Sequence, residues 1–88
     1  MFYYTYVLRS EKDGMLYLGY TNNLKRRLNQ HNNGESGSTR YRRPLKLIYF
    51  EGHLNKKDAL RREKYFKTNK GKTMLKYIIK EYLNNFNS

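Results

Sequence analysis

Two tyrosine-rich segments separated by a short polar loop constrain this chain more than any other feature in it. Phe2-Tyr3-Tyr4-Thr5-Tyr6-Val7-Leu8-Arg9 and Met15-Leu16-Tyr17-Leu18-Gly19-Tyr20-Thr21 are rich in aromatic and β-branched residues, the make-up of strands. Between them, Glu11-Lys12-Asp13-Gly14 ends in the Asp-Gly pair that favours a tight hairpin. A loop of these four residues pairs Ser10 with Met15, so Leu8 faces Tyr17 and Tyr6 faces Gly19. A two-residue Asp13-Gly14 turn shifts the partners but keeps the parity. Either way Tyr4, Tyr6 and Leu8 share a face with Tyr17, Gly19 and Thr21. With the longer loop, Tyr6 and Tyr17 are diagonal neighbours about 7–8 Å apart. Gly19 leaves space opposite the Tyr6 ring.

The rest of the chain supplies the elements this hairpin needs. Thr21-Asn22-Asn23 offers N-cap candidates, and Leu24, Leu28 and His31 follow at helical spacing through Asn32. Arg27 and His31 lie four apart on one stripe of that helix. A polar Gly/Ser loop from Asn33 to Thr39 runs into Arg40-Tyr41-Arg42-Arg43-Pro44, and its length favours a functional role. Leu45 to Glu51 reads as a third strand, with Pro44 admissible at its start. Asp58 begins a charged helix that runs from Ala59 to about Thr68, with Ala59, Leu60 and Phe66 as its apolar positions and Glu63 on the same stripe. Asn69-Lys70-Gly71 is expected to break it. From Lys72, the series Met74, Leu75, Ile78, Ile79, Tyr82, Leu83 and Phe86 predicts one uninterrupted helix lying over the core, with a frayed tail from Asn84 to Ser88. The predicted fold is α+β, a small three-stranded antiparallel sheet flanked by helices in the order β-β-α-β-α-α, forming a single domain over residues 1–88.

Composition narrows the function. Lys and Arg number 19 against 7 Asp and Glu, a net charge of +12 on 88 residues. So much like charge on a small body costs stability through self-repulsion, which points to a polyanionic partner: nucleic acid first, an anionic membrane surface second. Cysteine is absent, which removes disulfide frameworks, thiolate zinc sites and cysteine nucleophiles. No apolar run reaches the length of a membrane span, and the first residues lack the charged-then-apolar pattern of a signal peptide, so the expected location is the cytoplasm.

Four elements in order then carry a family resemblance. Tyr4-Thr5-Tyr6-Val7 and Tyr17-Leu18-Gly19 resemble the two half-motifs of the GIY-YIG nuclease superfamily. They are followed by Gly19-x-Thr21-x-x-Leu24-x-x-Arg27-x-x-x-His31-Asn32-x-Gly34, by Arg42-Arg43-Pro44-Leu45-Lys46-Leu47, and by Ala59-Leu60-x-x-Glu63-x-x-x-Lys67. Together they are similar to the small stand-alone bacterial members, over about residues 2–80. The first triplet departs from Gly-Ile-Tyr but keeps its tyrosine, and a downstream Asn used by some homing members has no secure counterpart. The resemblance implies a metal-dependent endonuclease with one Mg²⁺ or Mn²⁺ held by Glu63. Tyr6 and Tyr17 are then the motif tyrosines, Gly19 the motif glycine, Arg27 the helix arginine and His31 the histidine that follows it. DNA is favoured over RNA as the partner, with DNA repair as the setting. Without an appended recognition module, cleavage is expected to prefer DNA structure or to be weakly specific.

The chemistry suits these residue types. A carboxylate with several waters is a common way of holding Mg²⁺, a guanidinium fork matches a phosphate, and Tyr6 or Tyr17 could take a proton from the attacking water. Arg27, Lys67 and a metal are expected to lower the tyrosine pKa from its ordinary value of about 10. Arg40, Tyr41, Arg42 and Arg43 suit phosphate contact and base stacking. With Lys25, Arg26, Lys64 and Lys67 they are expected to converge on the Tyr6/Tyr17 face. Each residue also has a plainer role. The tyrosines could be core packing, and Glu63 could pair with Lys67 for ~0.2–0.5 kcal/mol, although that gain does not explain a carboxylate on an apolar stripe. The rival function is a non-catalytic nucleic-acid-binding protein of the same fold. Membrane attachment is disfavoured, because burying 74–86 in lipid would strip the domain of its core.

Overall fold

The computed structural model describes residues 1–86; Asn87 and Ser88, the end of the expected frayed tail, lie outside the described residues. Three antiparallel strands form one sheet in the order β2-β1-β3: β1 (Tyr3–Ser10), β2 (Leu16–Thr21) and β3 (Leu45–His53). Helices α1 (Leu24–Asn32), α2 (Lys56–Phe66), α3 (Asn69–Ile78) and α4 (Lys80–Asn84) complete the order β-β-α-β-α-α-α. No helix among the described residues is long and apolar enough to cross a membrane.

The hairpin has the four-residue loop and the register read from its tyrosines. Tyr4 pairs with Thr21, Tyr6 with Gly19 and Leu8 with Tyr17, and Ser10 donates its amide to the Met15 carbonyl at 2.9 Å. On the other side of β1, a bulge between Val7 and Leu8 pairs Val7 with Tyr49 and Leu8 with Leu47. The extra residue, Ile48, lets β3 serve both faces. Tyr6, Leu8 and Leu45 pack with Leu24 and Leu28 of α1 on one face, and Val7 packs with Phe66, Leu75 and Ile79 of the later helices on the other.

The later helices correct the expected boundaries. α2 starts at Lys56, because the Asn55 side chain caps it by accepting from the Lys57 amide; Asp58 lies in its first turn. The break falls at Lys67-Thr68 rather than at Asn69-Lys70-Gly71, which form the first turn of α3 under a Thr68 cap. Gly71 therefore serves close packing and not termination: a methyl group there would overlap the Tyr65 carbonyl. The last apolar series is interrupted at Ile79, between α3 and α4. Only the stripe of Leu75, Ile79 and Leu83 packs on the core, while Met74, Ile78 and Phe86 stay exposed, as does Leu60 on α2. Phe86, expected to fray, stacks under the Arg9 guanidinium at 4.2 Å.

A polar clasp sets the position of α2. Glu51 on β3 accepts from Arg62 Nε at 2.9 Å, Arg62 Nη2 at 3.2 Å and the Tyr49 hydroxyl at 2.7 Å. Burial, with the Glu51 bond behind it, pushes the Tyr49 hydroxyl up to about 12. Thr5 adds a buried bond from its hydroxyl to the Ala59 carbonyl at 2.6 Å. With Arg62 pinned to the sheet, Glu63 comes next on the helix, half-buried.

Candidate active site

The site is built around Tyr6, which the central strand holds 3% exposed. Its ring lies across Gly19, where a methyl group would overlap both ring and hydroxyl. The Tyr6 hydroxyl lies 2.9 Å from His31 Nε2 and accepts from Arg27 Nε at 3.3 Å. Both partners come from the inner stripe of α1, as their spacing requires.

The end of α1 is fixed from outside the helix. Asn32 makes a two-point clasp with β3, its side chain accepting from the Leu45 amide at 2.8 Å and donating to the Leu45 carbonyl at 2.9 Å. The helix then closes in a Schellman turn: Gly34 at φ +78° donates to the His31 carbonyl, and Glu35 donates to the Gln30 carbonyl. The His31 ring is thereby held 4% exposed, with its Nδ1 2.7 Å from Thr39 Oγ1.

A cavity of about 340 Å³ opens beside this group, lined among others by Tyr6, Tyr17, His31, Ser38, Thr39, Lys67 and Lys72. Arg27 reaches Tyr6 from beside the cavity. Glu63 is bonded to the ammonium of Lys67, a lining residue, at 3.3 Å, and its negative charge acts on Tyr6. The Tyr17 ring packs against the Tyr6 cluster.

The expected convergence of basic residues is partial. Lys25 and Arg26 line a groove on the outer side of α1 with Asn29 and Gln30, and Arg26 donates to Asn22. One and two residues before Arg27, they turn away from it by the helical rotation. Arg42 pairs with Asp13 at 3.4 Å, and Arg43 donates to the Arg40 and Asn32 carbonyls, so both brace their own loop. Arg40 sits over the ring of Tyr41, which is 71% exposed. Sequence reasoning missed Ser38, Thr39 and Lys72. Lys72 could have been found by taking Thr68 as the cap, which places it in the first turn of α3; Thr39 carries no local signal.

The pKa expectation for Tyr6 is corrected. Burial holds the Tyr6 hydroxyl above its ordinary value, outweighing the bond and charge of Arg27, and Glu63 pushes the same way. Burial, then the Arg27 charge, holds the His31 imidazole below its ordinary value, so it is neutral at neutral pH. A neutral ring nitrogen thus faces a protonated phenol.

A divalent cation at this site would have one carboxylate to bind it. Among the described residues no three His, Cys, Asp or Glu side chains cluster to cage a metal. Glu63 offers one hard carboxylate, 20% exposed and bonded to Lys67, whose charge is felt at Tyr6. That donor set suits a cation such as Mg²⁺, which keeps most of its water.

A sheet flanked by helices, with two motif tyrosines lining one cleft, an arginine bonded to Tyr6 and a glutamate on α2, has the layout of a GIY-YIG type of domain, and residues 2–84 match the GIY-YIG catalytic domain. The chain belongs to the GIY-YIG family, a nuclease family. Within it, the chain is similar to the UPF0213 proteins. It is 47% identical to one from Streptococcus agalactiae serotype V over 76 residues, 85% of each chain. It is 51% identical to one from Clostridium perfringens over 65 residues, 73% of this chain and 69% of that one. The solution NMR structure of a UPF0213 protein from Bacillus halodurans superposes with a TM-score of 0.55 at 32% identity, covering 89% of this chain and 85% of that one.

Proposed function

We propose that this chain is a metal-dependent endonuclease acting on DNA, structure-preferring or weakly specific in its choice of site. The observation that carries the reading is the Tyr6 hydroxyl, bonded to both His31 Nε2 at 2.9 Å and Arg27 Nε at 3.3 Å at the wall of a lysine-lined cavity. A phenol whose pKa is raised does not act as a preformed base. It can accept the proton of an attacking water while passing its own to His31, and neutral His31 is ready to take it. Arg27 spends one donor on Tyr6 and one on Gln30 at 3.2 Å. The rest of its fork is left for the non-bridging oxygens of the phosphate. Glu63 would hold Mg²⁺ or Mn²⁺, which when bound supplies Lewis acidity toward the phosphate and the leaving oxygen. Lys67 and Lys72 attract the backbone to the cavity, and phosphate contacts of this kind position without reading sequence.

The test is cleavage of nicked, flapped, single-stranded and RNA substrates with and without Mg²⁺ or Mn²⁺. Arg27→Ala and Glu63→Ala are each expected to reduce cleavage by about 10²-fold, the cost of one transition-state charge contact. A wild type that binds DNA with metal-independent affinity but cleaves nothing would move the reading to a non-catalytic nucleic-acid-binding protein.

Lys72 gives a separate check on the binding surface. Lys72→Ala is expected to weaken binding to all sequences alike and to flatten the slope of log affinity against log salt by about 0.7–0.9. Fluorescence anisotropy on a labelled oligonucleotide across a salt series measures this. An unchanged slope would remove Lys72 from the interface.

A further inference from the structure

The hydroxyl of Thr39 lies at the centre of the site, on the far side of the His31 ring from Tyr6. Its residue is 1% exposed, and its Oγ1 lies 2.7 Å from His31 Nδ1. The loop around it is tied down on both sides. Thr39 donates its amide to the Ser36 carbonyl and accepts from the Arg42 amide, while the buried Ser10 hydroxyl donates to the Arg42 carbonyl at 2.6 Å. The Thr39 hydroxyl is therefore carried to the histidine by a braced segment.

Two proton arrangements satisfy the distances along Thr39, His31 and Tyr6. In one, His31 Nδ1–H donates to Thr39 and Tyr6 donates to Nε2. In the other, Thr39 donates to Nδ1 and Nε2–H donates to Tyr6. The Tyr6 oxygen already accepts from Arg27, and a phenol is a stronger donor than a neutral imidazole N–H, so the first arrangement is favoured. It leaves the Thr39 proton directed to the cavity that Thr39 lines, where water or a phosphate oxygen can accept it.

We propose that Thr39 is a positioning residue that accepts from His31 Nδ1–H and so holds the ring in the tautomer whose bare Nε2 faces Tyr6. The other nitrogen of a histidine is commonly set by such a partner. When Nε2 takes the Tyr6 proton, Nδ1–H keeps its acceptor, now in a charge-assisted bond to the imidazolium. The consequence for rate rests on the endonuclease reading; the tautomer does not.

The experiment has two arms. In the first, long-range ¹H–¹⁵N correlation spectra of histidine-labelled protein are recorded above pH 6.5, the ordinary histidine value. His31 is expected to show a protonated Nδ1 and a bare Nε2. Thr39→Val, which keeps the volume, is expected to mix or reverse the two forms, and Thr39→Ser to restore the wild-type pattern. In the second arm, Thr39→Val is expected to lower kcat by about 10–100-fold with KM nearly unchanged, and Thr39→Ser to recover most of the loss. A wild-type His31 protonated on Nε2 overturns the assignment, and so does a Thr39→Val variant with unchanged tautomer and rate. A wild type with the expected tautomer that cleaves no substrate overturns the endonuclease reading instead and leaves Thr39 in its place.

Discussion

Replacing Tyr6 by Phe is expected to lower the cleavage rate by about 10³-fold while the domain stays folded, a loss within the range of one positioned proton transfer. The ring is retained, so its packing across Gly19 and against Leu24 and Leu28 survives. What disappears is the oxygen that joins His31 to Arg27. Two buried or half-buried polar nitrogens then lose a partner, at a cost of about 1–3 kcal/mol. For a domain of this size each kcal/mol lowers Tm by about 4–8 °C, so the variant melts earlier but is folded at the assay temperature. Single-turnover cleavage, corrected for the folded fraction by circular dichroism, reads the chemical loss. A Tyr6→Phe protein within about tenfold of wild type would place the proton transfer elsewhere, with Tyr17 the next residue to test.

The same relay sets the direction of the pH response. His31 must be neutral to accept a proton, and its value is lowered in the folded protein. Activity is therefore expected to hold through neutral pH and to fall on the acid side, with the limb below 6.5. Stability moves the same way. A histidine with a depressed folded value contributes fully above its unfolded value, and that contribution is lost as pH falls through the folded one. Circular dichroism along the same pH series separates the two effects.

The contrast between hairpin and loop shows what local pattern can encode. The register of β1 on β2 follows from period-two alternation and a four-residue turn, interactions between residues close in the chain. His31 and Arg27 were legible for a similar reason, lying four apart on one helix stripe and within a family motif. The later helices were misplaced because Gly71 was read by its conformational freedom. Its role is steric and depends on Tyr65 arriving from the preceding helix. The apolar series from Met74 to Phe86 is wide enough to hide that only its Leu75, Ile79 and Leu83 stripe meets the sheet. Thr39 was invisible for a stronger reason. It reaches His31 only because Ser10 holds the Arg42 carbonyl from 32 residues away, a constraint with no local signature. The raised Tyr6 pKa is likewise a product of burial, which nearby charges in the sequence do not reveal.

The two buried glycines should fail in opposite ways when a methyl group is added. At Gly71 the obstacle is the Tyr65 carbonyl and the backbone beside it, which cannot move without separating α2 from α3. Gly71→Ala is expected to cost about 3 kcal/mol or more, the upper range for overpacking, and to lower Tm by over ~10 °C. Cleavage per folded molecule should fall less than stability does, since Tyr6, His31 and Arg27 lie on β1 and α1 and keep their bonds. At Gly19 the obstacle is the Tyr6 side chain, which can swing aside. Gly19→Ala is expected to cost about 1–2 kcal/mol in stability and to reduce cleavage by about 10²-fold or more, because the displaced hydroxyl leaves His31 and Arg27. A double mutant isolates the cause. Once Tyr6→Phe has removed the hydroxyl, adding Gly19→Ala should reduce cleavage little further, a non-additive result of the kind expected for residues in contact. Additive losses in that cycle would mean that Gly19 acts on the reaction by a route other than the placement of Tyr6.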